Sequence, residues 1–157
     1  MVKKLFLLRH GHASGGYQMN DFDRPLSSLG IEGIEQLSIN LKSKSFEPNK
    51  LLVSPAVRTK ETCSILVENL SINSPLEYVE GIYEACVQFL FKLIASVESS
   101  VERLLVIGHN PGLSYLVEYM TGRAYVGMAP GQLVQLVFEI DDWNEVSKGN
   151  GKIQSYL

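Results

Sequence analysis

The chain of 157 residues has the size of one ordinary domain and is long enough to bury one substantial core. With 45% hydrophobic and 20% charged residues it is globular in composition, neither fibrous nor disordered. A formal net charge of −3 excludes a general attraction for nucleic acid or an anionic membrane, while leaving room for a local basic pocket.

The N-terminal stretch carries two lysines, Lys3 and Lys4, as signal peptides do, but the apolar run Leu5-Phe6-Leu7-Leu8 stops at once. A signal core needs about 7–15 apolar residues and a spanning helix about 20, so a soluble cytoplasmic protein is expected. Residues 3–9 read as a short buried strand that ends in Arg9-His10-Gly11-His12. Ile31, Ile34, Leu37 and Leu41 then fall at helical spacing, with Pro25 and Ser27/Ser28 as start signals. Residues 50–54 form a second strand, and a helix over about 56–70 follows, with Val57, Cys63, Leu66, Val67 and Leu70 apolar.

Residues 76–79 make a weaker strand. An apolar helix is expected over about 84–98, carrying Phe89, Leu90, Leu93, Ile94 and Val97. Residues 103–108 are the clearest strand, and a helix over about 112–121 comes after it. In the tail, 132–140 reads as a strand, 148–151 as a turn and 152–157 as an antiparallel partner. Asp141, Asp142 and Trp143 carry no legible role. Cys63 and Cys86 show no CxxC spacing and read as buried free thiols.

No repeat, low-complexity segment or linker interrupts this alternation, which points to one domain over 1–157. Alternating strands and helices imply an α/β fold: a three-layer α/β/α sandwich around a mainly parallel sheet. Ligands of such sheets bind beyond the carboxyl ends of the strands. At those ends lie Arg9-His10-Gly11-His12, Ser54 to Thr59 with Arg58, Gly81 to Glu84, and His109-Asn110-Pro111-Gly112.

Two guanidinium groups offer planar donor forks that match phosphate oxygens. The turn His109 to Gly112, with Asn110 in the substrate-binding set, opens a helix whose backbone N–H groups favour anions. A neutral histidine between such groups suits phosphoryl transfer. One ring nitrogen attacks while the other donates to a backbone carbonyl, and water can resolve the phosphohistidine that results.

The motif Arg9-His10-Gly11-x-Ala13, the segment Asp23 to Gly30, the run Val53 to Thr62 and the run Ile107 to Gly112 together resemble the histidine phosphatase superfamily, whose fold is phosphoglycerate mutase-like. Within it they are similar to the small phosphohistidine phosphatase branch, the SixA-like proteins. The resemblance covers nearly the whole chain. It implies His10 as nucleophile, Arg9 and Arg58 as ligands of the phosphoryl oxygens, and His109 as a second phosphate contact that is protonated when substrate is bound. It implies no metal and no cofactor. It also implies a phosphorylated protein substrate, a phosphohistidine-bearing signalling or phosphotransfer protein; with no large exposed apolar stripe evident in the sequence, a monomer is the default expectation.

Glu84 stands where relatives that hydrolyse esters carry an acid, and equally reads as a helix N-terminal glutamate. Imidazole is a good leaving group with a pKa of roughly 6.5, so a phosphohistidine substrate needs no dedicated acid. A working acid at Glu84 would admit phosphomonoesters. The chain lacks insertions that could form a large cap, so the site is expected to be open. Arg24, Lys60 and Arg123 are candidates for positive charge at its rim or for plain surface charges, and His12 reads as a rim residue. Ser14-Gly15-Gly16 could let a phosphate approach or could serve the turn.

Three other readings compete. A metal hydrolase would use His10, His12 and His109 as ligands, but Arg9 and Arg58 would repel the cation. A non-catalytic phosphate-binding module would not need His10. A mutase would need a sheltered site.

Overall fold

The computed structural model describes every residue except Tyr17 and Tyr125. Its sheet has six strands in the order β3-β2-β4-β1-β5-β6. They are β1 (Lys3–Arg9), β2 (Lys50–Val53), β3 (Leu76–Tyr78), β4 (Arg103–Gly108), β5 (Leu133–Phe138) and β6 (Lys152–Tyr156). β1, β4, β2 and β3 run parallel, whereas β5 pairs antiparallel with β1 and β6 antiparallel with β5.

Helices cover both faces, which is why the central strands are apolar without alternation. On one face α1 (Ser28–Lys42) and α2 (Val57–Leu70) bury Ile34, Leu37, Leu41, Cys63 and Leu66 against Phe6, Leu8, Leu51, Val53, Leu105 and Ile107. On the other, α3 (Val87–Ala95) and α4 (Gly112–Thr121) bury Leu90, Ile94, Leu116 and Met120 against Leu5, Leu7, Leu52, Leu104 and Val106. The strand period of two sends successive β1 residues to opposite cores. The expected three-layer sandwich is the observed one.

Local sequence explains most boundaries. The Ser27 hydroxyl caps α1 by accepting from Gly30 N at 3.0 Å. Gly30 sits so close to the His12 carbonyl oxygen that an added Cβ would fall 2.1 Å from it. That approach locks the start of α1 to the loop after β1. Ile31 points outward at 39% exposure, and Ser38, bonded to the Ile34 carbonyl, takes the buried position instead.

The helix expected over 84–98 begins later and ends earlier. Glu80–Ile82 form a 3-10 turn that buries Ile82, and Glu84 adopts φ 55, a left-handed conformation incompatible with a helix. The chain is still extended at Cys86, the residue that precedes α3. Cys86 is accordingly exposed, against expectation, while Cys63 is buried and its thiol pKa is pushed up to about 11 by burial.

The tail acquires a structural meaning. Trp143 is completely buried and its indole N–H donates to the Val101 carbonyl at 2.7 Å. Asp142 caps the 3-10 turn Trp143–Glu145, and Asp141 pairs with the N-terminal amine at 3.0 Å. Among the described residues no helix is long and apolar enough to cross a membrane.

Candidate active site

The carboxyl ends of β1, β2 and β4 are laced together just past their last residues. His10 N donates to the Gly108 carbonyl at 3.1 Å, and Ser54 N to that of Ile107 at 3.1 Å. Gly11 N donates to the Thr62 hydroxyl at 3.1 Å, which fixes the β1 loop to the first turns of α2. This frame brings Arg9, His10, Arg58, Glu84, His109 and Asn110 to one cleft of about 530 Å³. Loops, not a cap, form its walls.

His10 is buried. Its Nδ1 lies 2.7 Å from the Gly11 carbonyl oxygen, so Nδ1 carries the proton and Nε2 the lone pair. Arg58 Nε donates to that Nε2 at 3.3 Å. Burial above all lowers the His10 pKa to about 4; the Gly11 hydrogen bond, next in size, pulls it up, and the Arg58 and Arg9 charges lower it further.

His109 is similarly placed, its ring centre 5.1 Å from that of His10. Its Nδ1 accepts from Arg58 Nη2 at 3.4 Å, which leaves its Nε2–H to donate to the Ser54 hydroxyl at 2.7 Å. Burial above all, then the neighbouring His10 and Arg58, hold its pKa down to about 3. Both rings are therefore neutral at pH 7 in the ligand-free protein. Arg9 anchors Nη1 on the Met128 carbonyl at 2.7 Å, while its buried Nε has no hydrogen-bond partner among the described residues.

Several site residues escaped the sequence pattern. Asp21 accepts from Arg58 twice: Nη1 to the main-chain oxygen at 2.6 Å and Nη2 to Oδ2 at 3.0 Å. The same Oδ2 accepts from the Tyr83 hydroxyl at 2.6 Å, and Oδ1 accepts from Arg24 Nε at 3.0 Å. These donors, Tyr83 first and Arg58 next, hold the Asp21 carboxyl down at about 2. Tyr83 also packs edge-on against His109, with ring centres 5.4 Å apart. A polar residue in an irregular loop leaves no periodic signal, which is why Asp21 was invisible. Only its nearness to the Asp23 to Gly30 segment pointed that way.

The remaining expectations divide. Arg24 lines the cleft and hydrogen-bonds the Ser14 carbonyl at 3.0 Å. Gly16 gives its stem room, because a Cβ there would lie 2.3 Å from Arg24 Cδ. Lys60 lies over the Tyr78 ring at 5.0 Å, and Arg123 follows the end of α4; neither lines the cleft. His12 is exposed and bonded to the Ser27 hydroxyl at 2.7 Å. Asn110 lines the cleft, yet its amide donates to Met128 O at 3.0 Å and its oxygen accepts from the Ser114 hydroxyl at 2.9 Å. Glu84 is exposed on the cleft wall, outside α3, so it is not a helix N-terminal glutamate. Gly112 permits that wall to sit tight, since a Cβ would come 2.6 Å from the Ala85 carbonyl oxygen.

Among the described residues no group of three His, Cys, Asp or Glu side chains could hold a metal ion. What the site offers is cationic donors facing two neutral imidazoles. That arrangement can bind a tetrahedral oxyanion and present a nucleophilic nitrogen to it.

Comparison with known proteins agrees with this chemistry. Residues 5–89 match the profile described as Histidine phosphatase superfamily (branch 1). An uncharacterized chloroplastic protein of Arabidopsis thaliana is 28% identical over 139 residues, covering 76% of this chain and 60% of that protein. The chain thus spans less than two thirds of that relative's length. Phosphohistidine phosphatase SixA of Escherichia coli (strain K12) is 29% identical over 122 residues, covering 73% of this chain and 71% of that one. The solved structure of the protein histidine phosphatase SixA complexed with tungstate superposes with a TM-score of 0.84 at 24% identity, over 98% of this chain and 96% of that one. A phosphoglycerate mutase of Plasmodium falciparum shares the fold at a TM-score of 0.69 and 17% identity, over 99% of this chain and 90% of that one.

Proposed function

The chain belongs to the histidine phosphatase superfamily, and from that membership we propose that it is a metal-independent phosphatase that removes phosphate from phosphohistidine on a protein. The observation that carries the reading is the state of His10. Its Nδ1–H is bonded to Gly11 O, so the attacking lone pair is fixed on Nε2 beside Arg58.

His10 Nε2 attacks phosphorus as the bond to the substrate imidazole breaks, and that imidazole leaves with a proton from solvent. Water then attacks the phosphohistidine, which returns His10 and releases inorganic phosphate. Arg58 and Arg9, whose buried Nε lacks a partner among the described residues, neutralise charge on the phosphoryl oxygens. A bound dianion beside His109 favours the imidazolium, adding a further positive charge when substrate arrives. Two guanidinium groups and an imidazolium do here what a magnesium ion does in other phosphotransferases.

The name of the Escherichia coli relative, phosphohistidine phosphatase, favours a phosphohistidine substrate. A wider phosphomonoesterase activity is the second reading, favoured by the position of Glu84 on the cleft wall. Phosphate release from a phosphohistidine-bearing protein and from a simple phosphomonoester, both in EDTA, separates them. Rapid release from the first alone supports the proposal. Comparable release from both makes Glu84 a working acid, and release from neither defeats both readings.

A further inference from the structure

Asp21 is an anion in a cleft built for an anion, and on charge alone it should weaken phosphate binding. Its geometry relative to Arg58 gives it a different task. A guanidinium carries five N–H donors in one rigid plane, so fixing one edge aims the others. The outer edge of Arg58, Nη1 and Nη2, is bonded to the main-chain oxygen and Oδ2 of Asp21 at 2.6 and 3.0 Å. The inner edge, Nε and Nη2, faces His10 Nε2 and His109 Nδ1 at 3.3 and 3.4 Å. The outer contacts, to oxygen, are short, whereas the inner ones, to ring nitrogens, are longer. Phosphoryl oxygens can replace the long contacts without disturbing the short ones.

Resting on the phosphatase reading, we infer that Asp21 is a positioning residue for Arg58: it grips the outer edge of the guanidinium and so aims the inner edge at the phosphoryl oxygens held between His10 and His109. Two attachment points on one residue fix both the tilt and the rotation of the plane. Asp21 is itself held, by Tyr83 on Oδ2 and Arg24 on Oδ1. The 3-10 turn Asp21–Asp23 that carries it is capped by the Asn20 side chain. With Oδ2 accepting from two donors and the carboxyl ionised, Asp21 has no proton to give to a leaving group.

The test compares the unaltered protein with Asp21→Asn, Asp21→Glu, Tyr83→Phe, Arg58→Ala and the Asp21→Asn/Arg58→Ala pair. Each is measured for affinity toward inorganic phosphate and for kcat/KM, with circular dichroism as a check of folding. Asp21→Asn is expected to lower both quantities by about 10-fold or more, the size of effect a misaimed catalytic group produces. Asp21→Glu recovers part of the loss and Tyr83→Phe shows a smaller loss of the same kind. In the Arg58→Ala background, Asp21→Asn has no further effect, because the group it positions is gone. Tighter phosphate binding by Asp21→Asn would overturn the inference, since Asp21 would then be an internal competitor. So would an equal loss with and without Arg58. If the unaltered protein binds phosphate but turns over neither substrate, the phosphatase reading falls while phosphate affinity still decides the role of Asp21. Failure of the unaltered protein to bind phosphate overturns both.

Discussion

Arg58 Nε lies 3.3 Å from His10 Nε2, opposite the Nδ1–H that Gly11 accepts. With burial as the larger cause, the guanidinium helps hold the ring neutral, its pKa lowered to about 4. The acid limb of kcat/KM, which reports the free enzyme, is therefore expected well below pH 6.5, toward pH 4. A pH–rate profile with the substrate's own ionisation subtracted checks this; an acid limb at the ordinary histidine value contradicts it.

The same neutrality makes the fold acid-sensitive. His10 and His109 take up protons near pH 6.5 when unfolded but only near 4 and 3 when folded. Below pH 6.5 the unfolded state binds more protons, so stability falls as pH drops through that window. Urea denaturation at pH 7, 5.5 and 4.5 should show a loss on the order of a few kcal/mol. His109→Asn should flatten the slope. Asp21 adds to the loss only below about 3.8, where its unfolded form becomes protonated.

Replacing His10, the proposed nucleophile, separates chemistry from folding. His10→Ala is expected to lower turnover on the order of 10³-fold or more and to abolish a trappable phosphoenzyme, with circular dichroism unchanged. Labelling with radioactive phosphate from substrate, followed by alkaline gel analysis, reads this directly. An intact phosphoenzyme in the variant would move the nucleophile elsewhere.

Charge alone cannot replace the Arg58 fork. Arg58→Lys keeps the charge but loses the planar double donor that meets Asp21 on one edge and the histidines on the other. A fall in kcat/KM of about 10²–10³ is expected, close to that of Arg58→Ala. Near-normal kinetics in the lysine variant would reduce Arg58 to a point charge.

Trp143 should matter for stability and not for chemistry. It is fully buried, far along the chain from the cleft residues, and its indole satisfies the Val101 carbonyl. Trp143→Ala should cost about 3–5 kcal/mol, read from urea midpoints, with kcat unchanged at a temperature where the variant remains folded.

The parts of this molecule that could be read from sequence are those where one physical cause dominates. β1 and β4 are buried on both faces, so their apolar runs stood out, and the polar residues that ended them marked the cleft. Arg9, His10, Arg58 and His109 became visible as a set for that reason. The start of α3 was misread because apolar positions continue through Ile82 and Ala85, although the left-handed Glu84 breaks the helix between them. α2 hid part of its role in the other direction: Thr59 and Thr62 are buried polar residues on a face expected to be apolar. Asp21 and Tyr83 meet across the cleft from distant loops, a tertiary relationship with no local pattern. Trp143 looked unassigned because its partner, Val101, lies in a connecting segment.

β1 also sets the timetable of synthesis. It is made before its sheet neighbours, which lie far along the sequence: Lys4 aligns with Arg103, and Leu8 with Leu133. Until those residues have emerged, the strand that leads to His10 is an unpaired apolar segment with no sheet to join. Such sequence-distant pairing slows folding and leaves the nascent chain exposed to misassociation, for which a holding chaperone is the natural remedy. The loop that carries His10 is thus set in place only once β4 and β5 can pair with β1.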